Sequence, residues 1–311
     1  DGYDAVEWAA AQPWSDGNVG MIGASYGGLV QWSAALEKPP HLRAIVPQVS
    51  PPADGMRNIP YEFGQFMLGP SLWWGRVVAD KQADMSKAAG TADMKMAGLV
   101  TLPLSAVPKA VLGRDLPFWN DWLRRETMSE WKGWNGTDRL GDVRIPAFHV
   151  SGWWDGDAIG TQVNWQTRRA AGLAEDRLVI GPWTHAFNTT KSFLGEEYGD
   201  GAILELDSQY LRWFDTHLKG REGLWERIPR VRTFLKGENR WIGASDYPHP
   251  DATPAKIALG KGTSEWSYDP KSDRNTAPKT TGSLRLGKPA AWDRAFVLPV
   301  EGPTAVAGPF A

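Results

Sequence analysis

The stretch Gly17-Asn18-Val19-Gly20-Met21-Ile22-Gly23-Ala24-Ser25-Tyr26-Gly27-Gly28-Leu29-Val30-Gln31-Trp32 passes from an apolar run, through glycines set around one serine, into residues spaced as on a helix. A hydroxyl at such a turn is either an ordinary turn residue or a nucleophile pushed out of the backbone to meet a carbonyl carbon. The pattern Gly23-x-Ser25-x-Gly27 is weak evidence alone in a chain with 34 glycines. Its setting strengthens it, because a strained nucleophile turn needs a buried strand before it, glycines around it and a helix after it.

The flanking segments repeat that alternation. Asp4 to Ala11 reads as a helix that stops before Pro13. Asn18 to Ile22 is a short apolar run bounded by glycines, as expected of a strand buried on both faces. Leu29 to Leu36 has helical spacing and ends at Pro39-Pro40, and Leu42 to Val46 is a second apolar run ending at Pro47. Buried strands alternating with helices predict an α/β fold around a mostly parallel sheet.

Between residues 51 and 142 the strand runs disappear and Met, Trp, Gly and Ala dominate, as in FGQFMLGPSLWWGRVV and FWNDWLRRETMSEWKGW, which predicts a helical insertion. The strand rhythm returns at Ile145 to Ser151. A helix follows at Ile159 to Arg169, then a run at Arg177 to Ile180, then an amphipathic helix with Ile203, Leu206, Tyr210, Leu211, Phe214 and Leu218 on one face. From Arg230 the chain turns rich in Pro, Gly and Thr, with strand-like pieces VRTFL, AKIAL, GSLRL and AFVLPV, the texture of a separate β-sandwich domain. The expected division is 1–50 with 143–228 as the α/β core, 51–142 as the helical insertion, and 229–311 as part of a β-sandwich. No internal repeat is present.

Composition excludes several classes of function. With 311 residues and 42% hydrophobic content the chain can bury a large core. A formal net charge of −2, without a long run of either sign, gives no basis for a nucleic-acid or anionic-membrane partner. The absence of cysteine removes disulfides, thiolate catalysis and cysteine metal sites. No run of about 18 uncharged apolar residues suits a membrane span. The chain opens at Asp1, within a helix-like segment, so a signal peptide upstream is left open and the compartment stays unknown. Eighteen tryptophans, spread along the whole chain, exceed ordinary core use.

A serine nucleophile needs a base, and the base needs a carboxylate to orient it. Of five histidines, His41 follows a double proline, His149 lies inside an apolar strand, His217 sits in a last helical turn where a partly cationic ring suits the dipole, and His249 is in a Pro-His-Pro loop. His185 differs, because it follows a buried strand in the loop GPWTHAF, at the end of a parallel sheet where α/β folds place their sites. The carboxylate is expected in HVSGWWDGDAIG. Asp155 is favoured by its place directly after Trp153-Trp154, with Asp157 its close rival. The chain order Ser25, Asp155, His185 is that of α/β-hydrolases.

At these residues the chain resembles the cocaine esterase-like serine hydrolases, a family that includes X-Pro dipeptidyl peptidases, α-amino acid ester hydrolases and glutaryl acylases. WSDGNVGMIGASYGG, GWWDG, LVIGPWTH, LRWFDTHLKG and VRTFLKGENRW carry the resemblance, in the family's order, over most of Asp1 to Trp241. It implies an α/β-hydrolase fold with a helical cap at 51–142 and the start of a C-terminal jelly roll. The family's nucleophile, acid and base map onto Ser25, Asp155 and His185, and one oxyanion donor onto the backbone N–H of Tyr26. The family's second donor, a tyrosine hydroxyl, comes from strands that precede Asp1, so the chain is expected to be an internal segment of a longer enzyme with an unpaired sheet edge. Such an edge favours association, which makes a homo-oligomer an expectation. Trp73, Trp74, Trp119, Trp122, Trp131 and Trp134 of the cap are expected either to wall the acyl site or, as readily for each, to pack in the core, and Trp154 and Asp157 are expected beside the substrate. No cofactor or metal is implied.

The expected chemistry is acyl transfer to water from a small-molecule ester or amide. Ala158 stands where α-amino acyl enzymes of the family carry a further carboxylate, so plain acyl esters are expected over α-amino esters. Two other readings share these residues: an acyltransferase, with an alcohol or amine in place of water, and a non-catalytic carbohydrate-binding protein.

Overall fold

The computed structural model describes residues 1–54, 59–62, 64–79, 93–131 and 135–253. Its centre is a six-stranded sheet. Four strands come from the expected core: β1 (Val19–Ala24), β2 (Leu42–Gln48), β5 (Phe148–Trp154) and β6 (Arg177–Thr184). Two more, β9 (Val231–Leu235) and β10 (Arg240–Ala244), extend it in the order β1-β2-β5-β6-β9-β10. All neighbours run parallel except β10, which returns antiparallel to β9.

Helices cover both faces. On β2, Ile45 packs with Trp32 and Leu36 of α2 (Tyr26–Leu36) and Val6 of α1 (Gly2–Ala10), while Ala44 and Val46 point the other way, into a cluster with Leu206, Tyr210 and Trp213. That alternation of side-chain direction is why a sheet covered on both faces reads as a continuous apolar run. Helix α6 (Ala158–Ala170) buries Trp165 against Leu178 and Ile180 of β6, and α7 (Leu206–Lys219) closes the opposite face. Gly20 lets α7 come close to β1: a Cβ there would stand 2.4 Å from the Phe214 ring.

The 51–142 insertion has α3 (Leu68–Ala79), α4 (Val107–Leu112), α5 (Trp119–Arg124) and several 3-10 turns, packed around Leu72, Val107, Val111, Leu116 and Trp119. It also holds a hairpin of two-residue strands, β3 (Tyr61–Glu62) and β4 (Gln65–Phe66). A second small hairpin, β7 (Ser192–Phe193) with β8 (Glu196–Glu197), follows β6.

Several expectations need correction. VRTFL does not open a separate sandwich, since Leu178, Val179 and Ile180 of β6 pair with Val231, Arg232 and Thr233. The core sheet therefore continues past residue 229, because Val231 and Phe234 bury against it in the way of the earlier strands. AKIAL, GSLRL and AFVLPV lie outside the described residues. Strand β6 does not stop at Ile180. Beyond that point β9 no longer pairs with it, and opposite β5 the ladder shifts register, the setting in which a strand carries a proline such as Pro182. Leu211 is 69% exposed, so it lies off the buried face of α7. His217 packs edge-on against Trp213 at 4.1 Å, and burial pushes its pKa down, opposite to a cationic helix-end role. Strand β1 lies at the edge of the described sheet, and Ile22 on it is 49% exposed.

Candidate active site

Ser25 follows the last residue of β1 and opens α2 with φ 59° and ψ −123°, outside the regions open to L-residues at low cost. Three backbone hydrogen bonds hold it there. Its N–H donates to the Gln48 carbonyl at 2.9 Å, and its own carbonyl accepts from Gly28 at 2.8 Å and Leu29 at 3.1 Å. A Cβ on Gly23 would stand 3.1 Å from the Gly27 carbonyl oxygen, and one on Gly28 would stand 2.7 Å from the Ser50 Cβ. A Cβ on Gly27 meets nothing, so the crowding falls on Gly23 and Gly28 rather than on both glycines of the motif. The Ser25 hydroxyl makes no capping bond to the helix it opens.

Buried Gln31 was not singled out by sequence reasoning, yet it ties this turn to the sheet. Its amide donates to the carbonyls of Gly23 at 3.1 Å and Gly27 at 2.8 Å, and its carbonyl accepts from Val46 N–H at 3.0 Å. A lone amide in the apolar run Leu29–Leu36 was the signal.

Asp155 and His185 likewise each follow the last residue of a strand, β5 and β6, so all three residues stand at the carboxyl end of the parallel sheet. His185 Nδ1 lies 2.7 Å from Asp155 Oδ1. Asp155 has no side-chain exposure, while the His185 ring is 51% exposed. Ser151 donates to Asp155 Oδ2 at 2.8 Å and the Asp157 backbone N–H to Oδ1 at 3.1 Å, so the carboxylate is held at both oxygens. The hydrogen bond to Asp155 raises the His185 pKa above its ordinary value, against the opposing effect of burial. Asp157 Oδ2 is 3.9 Å from the same ring nitrogen, in second place to Asp155. A break in the β5–β6 register between Gly152 and Trp154 aims Asp155, and only glycine fits there, since a Cβ on Gly152 would stand 2.1 Å from the Trp183 carbonyl oxygen.

The structure thus brings Asp155, Asp157 and His185 together, with Ser25 across β2 from them at the same end of the sheet. Among the described residues no hydrogen bond joins Ser25 to His185. Of the aromatic residues expected around substrate, Trp74 on α3 has its ring 5.8 Å from that of Tyr26, the residue after Ser25, which is 48% exposed. Trp73 lies 6.0 Å from Trp74 and packs on the insertion's core, as does Trp122, stacked on Phe118 at 4.6 Å. Trp119 and Trp131, 1% and 3% exposed, are core residues rather than pocket wall. Each indole N–H is satisfied internally, by the carbonyls of Leu104 and Arg125. Trp134 lies outside the described residues. Trp154 faces the β7–β8 hairpin, donating to Tyr198 Oη at 2.8 Å and stacking on Phe193 at 5.2 Å, so it anchors the loop after His185.

Among the described residues Asp155, Asp157 and His185 also form a group whose ligand atoms lie within 4.8 Å of one another, close enough to hold a metal ion. Both Asp155 oxygens already accept hydrogen bonds, Oδ2 from Ser151 and Oδ1 from the Asp157 N–H, with His185 Nδ1 beside Oδ1. No helix among the described residues is long and apolar enough to cross a membrane.

Comparison with known proteins bears on the fold and the family. A cocaine esterase from Rhodococcus sp. (strain MB1 Bresler) is 32% identical over 282 residues, covering 84% of this chain and 47% of that protein. The crystal structure of an aminopeptidase from a marine sediment archaeon, Thaumarchaeota archaeon, superposes with a TM-score of 0.68 at 23% identity, covering 84% of this chain and 44% of that one. An α-amino acid ester hydrolase superposes with a TM-score of 0.57 at 24% identity, over 80% and 42% of the two chains. The fold is thus α/β-hydrolase-like, and the chain spans about half the length of the curated relatives it matches. The model of the X-Pro dipeptidyl-peptidase (S15) family matches residues 1–187, a span that takes in Ser25, Asp155 and His185, and the chain belongs to that family of hydrolases.

Proposed function

We propose that this chain carries the nucleophile, acid and base of a serine hydrolase that cleaves carboxylic esters or amides through an acyl-enzyme. The observation that carries the reading is the strained Ser25 at the same sheet end as a half-exposed histidine bound to a buried aspartate. With Nδ1–H donated to Asp155, the His185 Nε2 is left as the acceptor. It takes the Ser25 proton as Oγ attacks the carbonyl carbon, then returns that proton to the leaving alcohol or amine. Water, deprotonated by the same nitrogen, releases the acyl group and restores Ser25. Asp155 keeps the tautomer and stabilises the imidazolium, and the Tyr26 backbone N–H, at the first position of α2, meets the developing oxyanion.

The substrate side follows from what stands near Ser25. The Tyr26 and Trp74 rings offer an apolar wall that suits an aryl or hydrophobic acyl group. Asp157 is drawn toward His185, and Ala158 follows it without a charge, leaving little to hold a substrate ammonium. A burst of p-nitrophenol from a p-nitrophenyl acyl ester should equal one per active site, and Ser25→Ala should abolish it. An α-amino ester should show a lower kcat/KM than its des-amino analogue. A Ser25→Ala enzyme that still turns over with a burst would overturn the reading, and preference for the α-amino ester would overturn its substrate side.

A further inference from the structure

Between the nucleophile's strand and the acid's strand lies β2, and its carboxyl end touches both. The Gln48 carbonyl accepts the Ser25 N–H, and the next residue, Val49, donates its own N–H to the Val150 carbonyl on β5 at 2.7 Å. Val49 is fully buried and has φ 38°, a conformation that β-branched residues almost never adopt. Strain of that kind persists only where the surroundings over-determine it, and it gathers at functional sites.

The turn that Val49 makes presents Ser50, Pro51 and Pro52 to two helices at once. On one side is Gly28 in the first turn of α2, where a Cβ would meet the Ser50 Cβ at 2.7 Å and its Oγ at 3.0 Å. On the other is Gly160 in the first turn of α6, where a Cβ would lie 2.2 Å from Pro52 N, 2.4 Å from Pro51 C and 2.5 Å from the Ser50 carbonyl oxygen. Helix α2 begins at the residue after Ser25. Helix α6 begins directly after Asp157, whose N–H binds Asp155. Both glycines thus press their helix starts onto the same five residues, Gly28 onto the Ser50 side chain and Gly160 onto backbone.

We infer that the 48–52 turn is a positioning element, the gauge that sets Ser25 against the Asp155–His185 pair, acting through Gly28 and Gly160. The inference rests on the serine-hydrolase reading and adds the residues that set its geometry. A displacement of about 1 Å between nucleophile and base costs on the order of 10²-fold in rate.

Gly160→Ala and Gly28→Ala are the probes, assayed with a p-nitrophenyl ester and normalised to sites titrated by the burst. Each should lower kcat per titrated site by about 10²-fold with KM nearly unchanged. The two differ in what relieves them. Gly28→Ala collides mainly with the Ser50 side chain, so Gly28→Ala with Ser50→Gly should regain at least tenfold in kcat. Gly160→Ala collides with backbone, so Ser50→Gly should not relieve it. A role in folding alone would lower the melting temperature and the titratable fraction and leave kcat per site intact, and that result would overturn the inference. So would equal relief of both variants by Ser50→Gly, or relief of neither. If one variant fails to fold, the other still decides. Loss of the Ser25-dependent burst in the parent enzyme would instead condemn the serine-hydrolase reading itself.

Discussion

Strands β5 and β6 carry a histidine–aspartate pair at each end, and the two pairs have opposite fates. At the amino end His149 of β5 faces Asp176, the residue before β6, at 3.5 Å; at the carboxyl end Asp155 and His185 meet at 2.7 Å. His149 and Asp176 have side chains 1% and 2% exposed, with His149 packed against the Trp32 and Trp165 rings at 5.5 and 5.7 Å. Arg168 grips both Asp176 oxygens, at 2.5 and 2.8 Å, and donates further to the carbonyls of Leu140, Val143 and Ile145. Burial pushes the His149 pKa down and keeps its ring neutral. Burial alone would raise the Asp176 pKa, but hydrogen bonds from Arg168 and His149 hold it below the ordinary carboxylate value. Among the described residues no guanidinium pairs with Asp155, and its hydrogen bond to the half-exposed His185 ring raises the pKa of that ring against the effect of burial. A histidine–aspartate pair can act as a base when no guanidinium shares its carboxylate and the ring can reach a reactant. Supplied with a guanidinium and sealed, the same two residue types become a brace.

Substitution of the two histidines should separate these roles most widely. His185→Ala should lower kcat by about 10⁶-fold, as in other triads, with the melting temperature little changed. His149→Gln should lower the melting temperature while kcat per titrated site stays within a few fold; equal losses of turnover from both would erase the distinction. Next in size, Asp155→Asn should cost about 10⁴-fold in kcat by favouring the wrong tautomer. Asp157→Asn should cost less than about tenfold, since its carboxylate lies 3.9 Å from the ring where Asp155 lies at 2.7 Å. A reversal of that order would reassign the acid.

Asp176→Asn tests the brace. It leaves the Arg168 charge buried without its partner, a change worth about 3–5 kcal/mol of stability by denaturant titration, with kcat per titrated site preserved.

The smallest effects are in pH. A raised His185 pKa places the acid limb of kcat/KM above 6.5, the imidazole's ordinary value, because the ring must be neutral to act as base. His149 has the opposite sign. Its folded pKa is depressed, so its contribution is complete above the unfolded value near 6.5 and is lost as pH falls below that. Activity and stability should therefore decline over different ranges on acidification, activity first. An acid limb below 6.5 would remove the support for Asp155 as the ring's partner.

The sheet strands and the residues at their carboxyl ends were legible because strands covered on both faces leave uninterrupted apolar runs, and because glycine-bounded Ser25 and the loops at Asp155 and His185 end such runs. The positions of Ser25, Asp155 and His185 relative to the strands follow from that. What supports them was not legible. Ser151 and Val49 act through hydrogen bonds and backbone angles set by residues far along the chain, and nothing in their neighbourhood announces a φ of 38°; Gln31 stands out as a lone amide in an apolar run, but the run does not say that it joins α2 to β2. Strand β9 was assigned to a different domain because Pro and Gly around it outweighed a five-residue run, whereas pairing with β6 decides its place. Among the tryptophans composition separates nothing: Trp74 and Trp119 look alike in sequence, and only the packing of α3 and α5 sends one toward Tyr26 and the other into the core.

The most direct measurement is the site of covalent capture by a fluorophosphonate, read by peptide mass spectrometry on the active enzyme. The expected result is a single adduct on the peptide containing Ser25, lost in Ser25→Ala and slowed by orders of magnitude in His185→Ala. An adduct at another serine, or labelling that persists in Ser25→Ala, would contradict the assignment of Ser25 as nucleophile.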